Sequence, residues 1–432
     1  MTTPNSSWMR NREGLGIWEH RGKVAVAGWG QSNIDRRWDG KSLDRTMGAY
    51  TIQAAERAIA DAGLTVDDID GIIASPETRV GQTWAPRPYF DSPYDSEDGL
   101  TICSGEWLQT QMGLKNATYI ESGGGLGAIW RELAFAAQAV GDGLCKVALV
   151  TYPMGNLEGR YEHGELDNNP NSSDYAEGNR AFSIPWGYQS GAMINNVIIY
   201  KQYCRKYNKS YDGLAPYAIN QRRNGLLTPW GYYSVNEPYQ ITMEDYLSAR
   251  YIFEPLRLFD CDRPVMNCAA YIVTTAERAK DMKQPPVYFL NHNQTTQPHR
   301  STLETLEEQQ ETFAALARKM WEGSGLGPKD VDVFNPYDGY LTFTQELLEA
   351  FQWHGVGLGD ALDFYAEDIR VEGPHPFNSS GGNNGTGRTR NAAFIDSIEQ
   401  LRGMAGKRQV TVRAEVALAG YGDMIMFGKH PS

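Results

Sequence analysis

The chain has 432 residues, 41% of them hydrophobic, and a formal net charge of −13. That length fits two or three units or one large duplicated core. The acidic balance, with no concentrated basic stripe, argues against a nucleic-acid partner. No apolar run approaches the roughly 20 residues that a membrane-crossing helix needs. Met1–Arg21 is polar, lacks the apolar centre of a secretion signal and reads as an arm. Cys103, Cys145, Cys204, Cys261 and Cys268 make an odd set without CxxC spacing. Reduced thiols in a cytoplasm fit this pattern, and zinc ligation has no support.

In chain order, Lys23-Val-Ala-Val-Ala-Gly-Trp-Gly30 reads as a buried strand ending in a glycine turn. An Ala-rich helix is predicted over 42–62, with Ile52, Ala55 and Ile59 on one face. Gly63-Leu-Thr-Val-Asp-Asp-Ile-Asp70 then turns into a second strand. A strand predicted over 116–121 leads to Ser122-Gly-Gly-Gly and a helical face of Leu126, Ile129, Leu133, Ala137 and Val140. Lys146–Thr151 is the next strand. Strands alternating with helices predict a parallel sheet covered on both faces. Ser122, at a glycine-rich strand-to-helix junction, is where a nucleophile can sit, and it is also an ordinary helix cap.

From Met154 to about Pro255 the rhythm breaks into a segment rich in Tyr, Trp, Asn and Gly. It reads as an inserted subdomain whose aromatics fill its own core or an interface, or wall an apolar pocket. A strand and a helix start follow over 269–279, and Pro286-Val-Tyr-Phe-Leu-Asn291 opens a second series. His292 and His299 have no acidic companion at ligand spacing, so a metal site is not expected. After a predicted helix over 306–322, Gly325-Leu-Gly-Pro-Lys-Asp-Val-Asp332 repeats the earlier phrase: Gly-Leu, three residues, Asp, a β-branched residue, Asp. Each copy follows a helix and precedes a strand, which points to an internal duplication.

Near the end, Gly373–Arg390 is a long Gly/Asn/Ser loop that runs into a predicted helix over 391–402 and a strand over 409–417. Glycines let a backbone approach a ligand, and a helix start offers N–H groups to a charged or carbonyl-bearing one. Gly382-Asn-Asn-Gly-Thr-Gly-Arg-Thr389 nearly spells a phosphate-binding loop. It has Arg where Lys belongs, and the segment before it is a poor strand.

The order of these parts resembles the thiolase superfamily, from about Lys23 to Gly428. The similarity is to the sterol-carrier or lipid-transfer type of thiolase-like protein and its steroid side-chain aldolase branch. Pro255-Leu-Arg-Leu-Phe-Asp-Cys261, Ala276-Glu-Arg-Ala279, Tyr337-Asp-Gly-Tyr340 and Asn378-Ser-Ser-Gly-Gly382 carry the resemblance. It implies an α/β fold of two duplicated βαβαβ halves in five layers, α/β/α/β/α, with an inserted loop subdomain. The implied units are an arm at 1–21, a first half at 22–283 containing the insert at 154–255, and a second half at 284–432.

All four thiolase catalytic identities are changed. The nucleophilic Cys matches Ser122, the oxyanion Asn matches Tyr337, and Arg388 and Thr389 follow Gly387 where a His is expected. Leu418-Ala-Gly420 stands where the second Cys belongs. An alcohol without a base is a poor substitute for a thiol, so thioester exchange is not expected.

The aldolase branch shares this loss. The resemblance therefore implies retro-aldol cleavage of a β-hydroxy acyl-CoA by a lyase, with an OB-fold, zinc-ribbon acyl-CoA-binding partner. A homodimer through the first-half sheet, within a hetero-oligomer, is implied too, with no cofactor beyond the CoA of the substrate. One aldolase tyrosine matches Tyr337; the other falls near Arg388, where no tyrosine stands. The expected roles are Tyr337 as acid or base with its pKa lowered by Arg388, or Arg388 as enolate stabiliser. His375 is a second base candidate, and Asp338 an orienting group. Asn378 with the amides of Gly381 and Gly382 is the expected oxyanion site, and Tyr421 and Asp423 line the pocket. The competing readings are a non-catalytic acyl-CoA-binding scaffold and an acyltransferase using Ser122.

Overall fold

The computed structural model describes residues 16–39, 41–74, 103–121, 129–154, 191–293, 305–421 and 424–432. The first series of elements is β1 (Val24–Gln31), α1 (Met47–Ala62), β2 (Gly71–Ala74), α2 (Gly105–Met112), β3 (Tyr119–Glu121), α3 (Ile129–Gly141) and β4 (Val147–Met154). Helices of the insert follow: α4 (Gly191–Tyr207), α5 (Ala215–Leu226), α6 (Tyr232–Asn236) and α7 (Met243–Ser248). A small hairpin of β5 (Tyr251–Phe253) and β6 (Leu256–Arg257) leads to β7 (Asn267–Thr275). The second series is β8 (Val287–His292), α8 (Leu306–Ser324), β9 (Val333–Pro336), α9 (Leu341–Phe351), α10 (Gly382–Thr386), α11 (Ala392–Arg402), β10 (Val416–Gly420) and β11 (Met424–Gly428).

Among the described residues nine strands form one sheet in the order β3-β2-β4-β7-β1-β8-β11-β10-β9. The sheet repeats itself about the β1–β8 junction. On one side β2 runs parallel to β4, β4 antiparallel to β7, and β7 antiparallel to β1. On the other side β9 runs parallel to β10, β10 antiparallel to β11, and β11 antiparallel to β8. β3 adds an edge strand to the first half alone.

The two copies of the Gly-Leu phrase explain why both halves keep this register. Gly63 and Gly325 each end a helix with a left-handed backbone, φ 75° and 70°. A short 3-10 turn follows each. The last acid of each phrase then clamps the start of a strand. Asp70 accepts the N–H groups of Lys146 (2.9 Å) and Val147 (2.8 Å). Asp332 accepts those of Glu415 (2.9 Å) and Val416 (3.0 Å). In both places the backbone N–H of the same Asp also donates to the strand's first residue, Val147 or Val416.

Side chains alternate along the strands between two packed faces. Ala25, Ala27, Tyr288, Leu290 and Met426 join one apolar cluster with residues of α1, α8 and α9. Val24, Val26, Phe289, Ile425 and Phe427 join another with Leu133 of α3 and Phe394 and Ile398 of α11. Helices α3 and α11, one from each half, therefore share a layer. The sheet halves and outer helices flank it in the order α/β/α/β/α.

The strand expected over 409–417 begins only at Val416. The preceding residues are held to α11 instead, Val410 N–H donating to Gln400 Oε1 and Gln409 Nε2 to Gln400 O. Two further helix starts move inward, to Met47 and Ala392, because Thr46 and Thr389 hydroxyls accept the first helical N–H groups. His292 is buried edge-on against Trp18 at 4.9 Å, and no group of three or more metal-ligating side chains occurs among the described residues.

The clamp is testable: Asp332→Ala should lower stability by about 1–3 kcal/mol, the cost of leaving strand amides without their acceptor. Chemical denaturation measures it, and an unchanged midpoint would remove the clamp from the account.

Candidate active site

β9 and β10 are parallel neighbours, with Pro336 opposite Gly420. Their chains leave the sheet at the same edge, carrying Tyr337 and Tyr421 with them. Tyr337 N–H continues the pairing by donating to Gly420 O at 2.8 Å. The two rings lie 5.8 Å apart, and Phe343 of α9 sits 6.0 Å from Tyr337 and 4.6 Å from Tyr421. Both tyrosines are half-buried. The carboxyl ends of parallel strands are where open α/β sheets bind ligands.

The glycine-rich loop packs onto this edge, and every residue from Phe377 to Leu401 is buried. Its glycines admit protein backbone. A methyl group on Gly225 of α5 would lie 2.0 Å from Gly385 O, and one on Gly385 would lie 2.0 Å from Gln221 O. Gly381 adopts φ 86° against the same helix turn. The loop's amides are engaged within the protein. Gly381 N–H donates to Asn378 O and Gly382 N–H to Ser380 Oγ. The carboxamide N–H groups of Asn378 donate to Tyr217 Oη (2.6 Å) and Pro336 O (2.9 Å), which uses both. The donors expected to form an oxyanion site, at Asn378, Gly381 and Gly382, are thus engaged by groups of the chain itself.

Asp338 takes the place that a bound anion would have. Its carboxylate accepts the N–H groups of Asn383 (2.7 Å) and Asn384 (3.0 Å) and of the Gln221 side chain (2.8 Å). Asp338 thus ties the loop after β9 to α10 and α5, and the near match to a phosphate loop closes on the chain's own carboxylate.

This tie brings Arg388 and Arg390 to the tyrosines. Arg388 Nε is 3.8 Å from Asp262 Oδ2, and both side chains are buried. Arg390, at φ 55°, is held by its N–H on Asn383 Oδ1 (2.7 Å) and donates from Nη1 to Tyr152 Oη (2.9 Å). Asp262 reaches the cluster because residues 261–263 are stitched to both loops. Cys261 bridges to Tyr340, Asp262 N–H donates to Gly339 O (3.0 Å), and Arg388 N–H donates to Arg263 O (2.7 Å).

Burial pushes the Tyr337 phenol up, and the Asp262 carboxylate adds to the push against the opposing Arg390 and Arg388. The expected lowering by Arg388 does not prevail, because desolvation of a phenolate in this pocket outweighs the cation. Tyr337 is therefore a neutral hydrogen-bond donor near pH 7. Burial raises Asp262 to about 7 although Arg388 opposes it. Asp338 rises to about 6 by burial, opposed by the amides it accepts. Burial also works against the Arg388 charge, but Tyr337 and Asp262 hold it above its ordinary value.

The structure gathers Tyr337, Asp338, Arg388 and Tyr421 on one edge. His375 lies elsewhere, half-buried, with Nδ1 3.0 Å from Glu367 and its ring 4.5 Å from His354 and 5.6 Å from Phe364. The structure does not bring His375 together with the tyrosines; its described neighbours are Glu367, His354 and Phe364. Ser122 and Asp423 fall outside the described residues. Asp262 and Arg390 join the site without having been singled out in the sequence. Their signal was adjacency: Asp262 follows Asp260-Cys261, and Arg390 lies two residues past Arg388.

Residues 294–428 match the family described as thiolase C-terminal domain-like. A 17-hydroxy-3-oxo-4-pregnene-20-carboxyl-CoA lyase of Mycobacterium tuberculosis is 28% identical over 412 residues, 93% of this chain and 97% of that one. A steroid side-chain-cleaving aldolase of Thermomonospora curvata is 25% identical, over 93% and 96% of the two chains. The solved Ltp2-ChsH2(DUF35) aldolase superposes with a TM-score of 0.73 at 22% identity, over 94% and 98%. A duplicated sheet with two shared central helices is the thiolase fold. The chain has the thiolase fold, its residues 294–428 match the thiolase C-terminal domain-like family, and over its length it is similar to side-chain aldolases.

The glycine contact predicts that Gly225→Ala costs about 1–3 kcal/mol, as overpacking does. A lowered thermal midpoint would show it, while an unchanged midpoint would mean that α5 and α10 can separate freely.

Proposed function

We propose that the chain is a carbon–carbon lyase that cleaves a β-hydroxy acyl-CoA of the steroid side-chain type by a retro-aldol reaction. The observation that carries this reading is a phenol, Tyr337, within electrostatic reach of the buried Arg388 guanidinium, which stands 3.8 Å from Asp262 beside the strand edge. Two relatives that span the chain, one named as a carboxyl-CoA lyase and one as a steroid side-chain-cleaving aldolase, support it.

A retro-aldol step needs an acceptor for the β-hydroxyl proton and donors for the developing thioester enolate. Arg388 supplies a fixed positive charge in a site where low dielectric strengthens it. Tyr337, kept protonated, supplies an O–H donor. The half-buried rings of Tyr337, Phe343 and Tyr421 offer an apolar wall to a bulky acyl group. The reaction consumes no cofactor beyond the CoA that the substrate carries.

An OB-fold, zinc-ribbon acyl-CoA-binding protein is the proposed partner; the superposed aldolase, Ltp2-ChsH2(DUF35), is named as a pairing with a DUF35 protein. A homodimer through the first-half sheet is proposed as well, supported by β3 at the sheet edge. The buried Cys103, Cys145, Cys204 and Cys268 and half-buried Cys261 are unbridged thiols, which suits a cytoplasmic setting. No helix among the described residues is long and apolar enough to cross a membrane.

The purified chain, alone and with its partner, should convert a β-hydroxy acyl-CoA into a ketone or aldehyde plus a shorter CoA ester. Tyr337→Phe should reduce turnover at least about 100-fold while CoA-ester binding stays near normal. Tight binding without product in any pairing would favour a scaffold, and an acyl group on Ser122 by mass spectrometry would favour an acyltransferase. Full activity in Tyr337→Phe would remove that residue from the mechanism.

A further inference from the structure

The lyase reading leaves one task without an owner. A phenol held protonated and a guanidinium held charged are both donors, and neither is placed to keep the proton that leaves the β-hydroxyl. His375, the other base suggested by the sequence, sits with Glu367 and His354.

Asp262 is the carboxylate that the fold delivers to this spot. The segment that carries it is fixed on both sides, by Gly339 O on the tyrosine loop and by the Arg388 N–H on the glycine loop. Gly339 also touches the phenol: a methyl group there would lie 2.3 Å from Tyr337 Oη. The Tyr337 hydroxyl and the Asp262 backbone therefore lie against the same glycine. The side chain of Asp262 is 3% exposed, and its Oδ2 makes no hydrogen bond among the described residues, although Arg388 Nε stands 3.8 Å away. A structural carboxylate in a protein interior ordinarily fills its lone pairs, as Asp338 does next door.

We propose that Asp262 is the terminal proton acceptor of the site, drawing the β-hydroxyl proton inward by way of the Tyr337 phenol. This rests on the lyase reading. The hydroxyl proton passes to the Tyr337 oxygen as the phenol's own proton passes to Asp262. The oxygen's electron pair forms the carbonyl, the Cα–Cβ bond breaks, and its pair enters the thioester as an enolate facing Arg388. The enolate carbon then takes the proton back along the same route, which releases the shortened CoA ester and restores the carboxylate.

The groups that bear on Asp262 are Arg388 and Arg390 from the glycine loop, and Tyr337, Asp338 and Tyr340 from the loop after β9. Burial holds the carboxyl near 7 against the arginines, a value suited to giving and taking a proton at neutral pH. The acceptor form is the carboxylate, so kcat should rise as pH increases through about 7.

Asp262→Asn should lower kcat by about 100-fold or more with KM within a few fold, and should abolish that rise. Asp262→Glu should restore part of both. Subtracting the infrared spectra of Asp262→Asn from those of the unsubstituted chain should leave a protonated-carboxyl band that is lost as pH passes through about 7; the subtraction removes the buried Asp260, itself pushed up to about 7. This readout needs no turnover, and circular dichroism confirms that each variant is folded. Wild-type kcat and pH profile in Asp262→Asn would overturn the role of Asp262 alone. A band that does not titrate near neutral pH would overturn it as well. No turnover by the unsubstituted chain in any pairing would overturn the lyase reading and this proposal together.

Discussion

Two backbone N–H groups pointing at one buried carboxylate hold the site together. Asp338 follows directly on β9 and accepts from Asn383 and Asn384 in the next loop. That tie acts with the Arg388 N–H on Arg263 O and the Arg390 N–H on Asn383 Oδ1 to fix where the two arginines fall relative to Tyr337. Burying a carboxylate costs free energy unless its oxygens are satisfied, and here three donors satisfy them. The tie is an internal version of the anion site that a helix start offers a ligand.

The same economy appears in the scaffold. Asp70 and Asp332 each hold the amides at the start of a strand. Both halves therefore reach the same strand order by the same contact. The sheet edge that results places Tyr337 and Tyr421 side by side. What distinguishes the halves is the insert, whose helix α5 reaches across to the second half and closes over the glycine loop.

Much of this was written in the sequence, because it depends on local order. The repeated Gly-Leu phrase marked the duplication, since its helix cap, turn and clamping acid all lie within eight residues of each other. Tyr337 and Arg388 were readable as candidates from the residues that replaced the thiolase set. The rest depends on what meets in space. The Val410-Thr-Val412 alternation resembled a strand, yet Gln400 of α11 claims that backbone. The glycines resembled a ligand cradle, yet another glycine fills the room they leave. His375 carried the chemistry of a base, and only the structure shows that its ring meets Glu367, His354 and Phe364. Asp262 had no motif to announce it, because its surroundings come from three loops far apart in sequence.

The contact of Gly225 with Gly385 makes the insert and the closing half a matched pair. Shuffling inserts between related chains to change acyl preference would fail unless both glycines travelled with the graft. Diversification of the acyl pocket is thereby steered away from this seam, toward the aromatic walls and the loops that rest on them.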